Sequence, residues 1–169
     1  MPHPDFSIVY DEHVWHVYGF FAYRLRSRAD AEDLTQMTFE RALRAYARYD
    51  ASLASVQTWL IAIARNLLID HVRSDRGAAQ RAVDEVPESL LPAAEDRHRI
   101  GLDPVLERAL TTLSDREREL IAMRFGGDLT GPEIAALTGL TLANVQQLLS
   151  RSLRRMRASM EAAHAAEVR

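Results

Sequence analysis

Cysteine is absent from the 169 residues, and so is lysine. The first absence excludes disulfides, thiolate metal sites, cysteine nucleophiles and direct thiol redox sensing, and it fits a reducing compartment. The second makes all 21 basic residues arginine, which a GC-rich genome explains as well as any need for guanidinium geometry. Glycine and proline are sparse, at 7 and 6 residues, so few points interrupt a helix. No apolar run approaches the roughly 20 residues of a membrane span. The opening Met1-Pro2-His3-Pro4-Asp5 lacks the basic-then-apolar layout of a signal peptide, so a cytoplasmic protein without membrane insertion is expected. The six histidines are scattered, and no triad, phosphate loop or carboxylate pair points to catalysis. His13 and His16 stand at helical i, i+3 spacing, but nothing nearby supplies further ligands. The expectation is therefore no catalytic residue, no metal, no cofactor and no small-molecule substrate.

What is present is helix-forming. Hydrophobic residues make up 47% and charged residues 27% of the chain, a globular balance, and the apolar positions recur at three- and four-residue intervals. An all-α fold follows. The spacing predicts a buried helix over 6–26 carrying Val9, Trp15, Phe21 and Leu25. A second runs over 31–47, capped by Asp30 with Glu32 and Asp33 in its first turn, and a third over 55–74 holds Trp59, Leu60, Ile63 and Leu67. Trp59 reads as core. Arg65, a charge in an apolar helix, needs a partner or a solvent-facing side. From Gly77 to Leu102 the period fades into a stretch with Pro87, Pro92 and several acids, read as a flexible linker. Beyond it, Ser114…Glu117 and Thr130…Glu133 are two capping boxes that open helices ending near Phe125 and Gly139, and a last helix spans 142–160. The organisation is a three-helix module over 1–76, a linker over 77–102 and a four-helix module over 103–169.

Charge is distributed unevenly. The net charge of −3 and pI near 6.1 exclude indiscriminate coating of nucleic acid by bulk charge. Yet no acid lies between Glu133 and Glu161, while Arg151, Arg154, Arg155 and Arg157 crowd one stretch. Residues 130–151 have the pattern of a DNA-binding helix-turn-helix: Ile134 and Leu137 inward, small Ala135 at the helix contact, Gly139 at the turn, Val145 and Leu148 or Leu149 anchoring the second helix. That leaves Asn144, Gln146, Gln147 and Ser150 for base edges and the arginines for phosphates.

Three stretches, residues 30–39 (DAEDLTQMTF), 58–73 (TWLIAIARNLLIDHVR) and 113–119 (LSDRERE) followed by the helix-turn-helix, resemble the extracytoplasmic-function sigma factors, in the same order and along nearly the whole chain. The resemblance implies that 1–76 is region two and 103–169 region four. It implies two partners, core RNA polymerase and promoter DNA, and an anti-sigma factor that sequesters the chain. By the same resemblance Asp30, Glu32, Asp33, Leu34 and Gln36 bind core polymerase. Arg48, Tyr49, Asp50, Ser52 and Gln57 would capture an unstacked base of the minus-ten element, with Arg65, Asn66, Arg73 and Arg76 on the opened strand. Thr141, Asn144, Gln146, Gln147, Ser150, Arg151 and Arg154 would read the minus-thirty-five element. Gln146 and Leu148 stand where the family usually has basic residues, so an unusual upstream sequence is expected. The rival reading is a stand-alone helix-turn-helix regulator, which leaves the second and third helices without a role.

Overall fold

The computed structural model describes residues 4–85 and 101–168. Helices α1 (Phe6–Arg24), α2 (Arg28–Ala45) and α3 (Val56–Glu85) form an N-terminal bundle. Helices α4 (Pro104–Thr111), α5 (Asp115–Ile121), α6 (Gly131–Thr138) and α7 (Leu142–Glu167) form the C-terminal module. Among the described residues there is no strand.

Most helix starts are those the sequence predicts. Ser114 and Thr130 each accept the N–H of the glutamate three residues on, and each glutamate accepts the cap residue's N–H in return, so both capping boxes close. Helix α2 differs. The Ser27 hydroxyl accepts the Asp30 N–H, which starts the helix at Arg28 and puts Asp30 inside its first turn rather than at the cap. Helix α3 also departs from expectation: it runs 30 residues through Gly77 to Glu85. One helical glycine costs only about 1 kcal/mol relative to alanine, and Ala78, Ala79, Gln80 and Ala82 after it are strong helix formers. The remainder of the expected linker, 86–100, lies outside the described residues.

The helix expected to end at Phe125 widens instead. After Ile121 the backbone makes a π-turn over Ala122–Gly126, and Leu129 N–H donates to the Met123 carbonyl as the chain leaves it. This turn meets α1. A single core joins the two modules: Phe20, Phe21, Leu60 and Leu67 from the N-terminal bundle pack with Leu120, Met123, Leu129, Ile134 and Val145. Phe20 and Phe21 are fully buried, each contributing about 1.5–3 kcal/mol of hydrophobic stabilisation. A second cluster of Ala109, Leu110, Leu113, Ile121 and Met156 holds α4, α5 and α7 together, and Tyr23 of α1 packs against it.

Helix α1 is not the uniformly buried helix its composition suggests. Val9, Val17, Phe20, Phe21 and Ala22 face the core, but Trp15 is 75% exposed and Tyr10 is exposed too. With Phe39 and Leu43 of α2 these rings line a groove of about 690 Å³.

Candidate polymerase and promoter interfaces

The start of α2 presents three of its five expected contact residues. Glu32, Asp33 and Gln36 are exposed, and Asp30 is half-buried 3.8 Å from His71. Leu34 is buried in the core, 5% exposed, and holds α2 in place. Glu32 accepts a hydrogen bond from Arg28 Nε at 2.8 Å, and Glu32 and Gln36 line the α1–α2 groove. The face thus joins carboxylates at a helix N-terminus, where the dipole favours them, to an apolar trough. Sequence periodicity counted Trp15 as core material and missed this trough.

The polar break after α2 is a built loop. The Tyr49 hydroxyl donates to the Ala54 carbonyl at 2.8 Å, and both the N–H and the hydroxyl of Ser52 donate to Asp50 Oδ1. Tyr49 is buried, stacked on Tyr46 and packed 4.9 Å from Trp59. Trp59 is half-buried, part core and part wall of this aromatic cluster. Of the residues expected to receive a base, Tyr49 therefore shapes the loop from beneath, while Arg48, Asp50 and Ser52 are exposed. Leu53, which composition gave no reason to select, stands at the tip 83% exposed.

On α3, Asn66, Arg73 and Arg76 are exposed, whereas Gln57 and Arg65 are engaged by the other module. The Gln57 amide donates to the carbonyls of Gly127 and Asp128. Asp128 adopts a positive φ of 53°, which its short polar side chain tolerates and which turns the chain out of the π-turn. Arg65 Nε meets Glu119 Oε1 at 2.6 Å and its Nη1 donates to the Leu137 carbonyl, with both side chains of the pair mostly buried. Beside them the Ser55 and Thr58 hydroxyls donate to Glu133 Oε1 at 3.2 and 3.0 Å. Burial would raise the Glu133 pKa, but hydrogen bonds from the Thr130 N–H and the Thr130, Thr58 and Ser55 hydroxyls outweigh it and hold the carboxyl below the usual range. His13, half-buried, has its pKa lowered by desolvation, and its Nδ1 has no hydrogen-bond partner among the described residues. Its ring lies 6.3 Å from that of His16, and no group of three metal-ligating side chains occurs among the described residues.

In the helix-turn-helix, α6 ends on Gly139 at a φ of 72°, the left-handed cap that lets α7 turn across it. Thr141 caps α7 by accepting the Asn144 N–H, and Val145, fully buried, anchors it. Thr141, Asn144, Gln146, Gln147, Ser150, Arg151 and Arg154 are all exposed. Arg155, grouped by sequence with the arginines expected to hold phosphates, is drawn away: its Nη1 lies 2.8 Å from Glu117 Oε2 and ties α7 to the first capping box.

A capped helix-turn-helix whose second helix exposes amides and arginines, packed on a second helical module, defines an all-helical, two-module protein of the helix-turn-helix class. Family comparison places it further. The Sigma-70 region 2 profile matches residues 9–77 and the Sigma-70, region 4 profile matches 109–158. The ECF RNA polymerase sigma factor BldN of Streptomyces coelicolor is 31% identical over 88% of this chain, which spans 58% of that relative's length. ECF RNA polymerase sigma factor SigC of Mycobacterium tuberculosis is 33% identical over 80% of this chain and 72% of the relative, and RpoE of Cereibacter sphaeroides is 33% identical over 85% and 80%. Among solved structures, the sigma factor RpoE of Bartonella quintana, in complex with the anti-sigma factor NepR, has the same fold, with a TM-score of 0.75 at 21% identity over 93% of this chain and 97% of that one. The chain belongs to the sigma-70 family, in its extracytoplasmic-function group of transcription initiation factors that direct core RNA polymerase to promoters.

Proposed function

We propose that the chain seats core polymerase on promoters through three surfaces and contributes binding, not bond chemistry, in the cytoplasm. Residues 1–76 act as region two and 103–169 as region four, joined through 77–102. Glu32, Asp33 and Gln36, with the trough beside them, dock on a basic, partly apolar helical element of polymerase. The loop carrying Arg48, Asp50, Ser52 and exposed Leu53 receives an unstacked minus-ten base, and Asn66, Arg73 and Arg76 follow the opened strand. The exposed start of α7 reads the minus-thirty-five element. An anti-sigma protein is proposed as a further partner, by likeness to the Bartonella RpoE complex.

The observation that carries the reading is that Thr141, Asn144, Gln146, Gln147, Ser150, Arg151 and Arg154 all reach solvent while Val145 and Ile134 lock the helix-turn-helix. Two modules read DNA weakly alone and gain effective concentration when held together on polymerase. In the packed arrangement Gln57 and Arg65 are taken up by the C-terminal module, so their use on DNA requires that module to leave α3. A stand-alone helix-turn-helix regulator would leave the α2 face unused. The test is co-elution with core polymerase and promoter-specific transcription by wild type and by a Glu32→Arg, Asp33→Arg variant. Loss of both activities is expected, and full retention refutes the docking surface.

A further inference from the structure

Between the end of α1, the middle of α3 and α5 lies a cavity of about 320 Å³. Four guanidinium groups line it, those of Arg24, Arg65, Arg73 and Arg76, against one carboxylate, that of Glu119. The apolar wall comes from Leu68 and Val72 of α3. The spacing of Arg65, Arg73 and Arg76 puts them along one face of that helix.

These charges are poorly compensated. Glu119 is committed to Arg65 at 2.6 Å, so it neutralises that residue and leaves three cations. Arg76 comes within 3.9 Å of Asp115, but both side chains are about three-quarters exposed and the pair is weak. Arg73 has no ion pair among the described residues. Arg24 donates through Nη1 to the Asp115 backbone carbonyl, while its buried Nε has no acceptor among the described residues. Desolvation depresses the Arg24 pKa, with Glu119 opposing and Arg118 reinforcing the shift, as happens to a cation short of counter-charge. The ligands that satisfy several guanidinium forks at once are oxyanions carrying more than one charge.

We infer that this cavity is a binding site for a phosphate oxyanion, held by Arg24, Arg73 and Arg76. The volume, at the small end of ligand pockets, suits a compact polyanion such as pyrophosphate or one phosphate of a longer molecule. Because α5 forms one wall, an occupant also bridges the two modules. The site shares Arg73 and Arg76 with the opened-strand surface proposed above, but the charge balance that carries it stands without that role.

The experiment titrates the full chain with inorganic pyrophosphate at constant ionic strength, with chloride as control, following the unfolding midpoint and then binding heat. A saturable rise in midpoint is expected with pyrophosphate only. Arg73→Gln, an exposed position that leaves the core intact, is expected to weaken binding about tenfold, the effect of losing one charge-assisted contact. A second arm uses a short single-stranded oligonucleotide. Binding of the oligonucleotide that pyrophosphate displaces and Arg73→Gln weakens assigns the phosphate to nucleic acid, whereas pyrophosphate binding without such competition assigns it to a free ligand. Equal midpoint shifts with chloride, or undiminished binding by Arg73→Gln, would overturn the site. Polymerase takes no part in either arm, so failure here leaves the sigma-factor reading untouched.

Discussion

Gly19 on α1 and Gly126 in the π-turn meet backbone to backbone: a Cβ on Gly126 would lie 2.5 Å from the Gly19 carbonyl oxygen, and one on Gly19 2.8 Å from that of Gly126. Neither obstacle is a side chain that can rotate away. Gly126→Ala therefore drives the π-turn off α1 and strains the joint core. The expected loss is about 1–3 kcal/mol, the usual range for overpacking, read from denaturant unfolding. Small-angle scattering should show a larger radius of gyration, because the modules separate. An unchanged radius with unchanged stability would mean that this contact does not hold them together.

Arg65 and Glu119 supply the polar half of the same joint. Their side chains are 25% and 15% exposed, so the ion pair is shielded enough to matter. Glu119→Gln keeps a hydrogen-bond acceptor but removes its charge, and a cost of about 1–2 kcal/mol is expected for a charge-assisted bond made neutral. The same change releases Arg65 for nucleic acid, so binding of a single-stranded minus-ten oligonucleotide should tighten as stability falls. A stability loss with no gain in affinity would show that Arg65 serves only the fold.

The recurring apolar positions and the two capping boxes made the all-helical fold and the starts of α5 and α6 legible, because each rests on interactions within a few residues. The joint between the modules was not legible. Its hydrophobic side chains read in the sequence only as the core of their own module, and its backbone half, Gly19 against Gly126 and the carbonyls of Gly127 and Asp128, leaves no hydrophobic pattern at all. Local spacing also cannot say which apolar face of a helix finds a partner. Trp15 and Leu43 have the period of core residues but line an open groove, and Leu34, chosen for its place in a family motif, is core. Arg155 shows the limit for charge: its neighbours in sequence are solvated, yet α7 carries it over the buried Glu117.

Two capping-box glutamates make stability depend on pH. Glu117 is held below the usual range first by the Ser114 N–H, against a smaller desolvation effect, with the Ser114 hydroxyl, Arg155 and Arg151 assisting. Glu133 is lowered by the hydrogen bonds that overcome its burial. A carboxylate depressed on folding contributes stability that is fully present above its unfolded value of about 4.3 and is lost as pH falls through the folded value. Thermal midpoints should therefore be flat near neutrality and fall below about pH 4.3. Glu133 also accepts from Ser55 and Thr58 across the modules, so Glu133→Gln should lower the midpoint at neutral pH and make the acid limb shallower. An acid limb identical to wild type would exclude Glu133 as a contributor.

On the proposed reading, the exposed start of α7 separates contacts that specify sequence from contacts that only hold DNA. Gln147 carries a paired donor and acceptor suited to adenine, so Gln147→Ala should relax preference at one base of the upstream element, by about 1–3 kcal/mol of discrimination. Arg154 lies further along the helix and is exposed with no ion pair among the described residues. Arg154→Ala should weaken all promoters alike and flatten the salt dependence, as loss of a phosphate contact does. Transcription from a randomised promoter library by reconstituted holoenzyme measures both. A base preference unchanged by Gln147→Ala but altered by Arg154→Ala would reverse the two roles, putting the reading contact a turn or more deeper along α7 than the amide cluster near its cap.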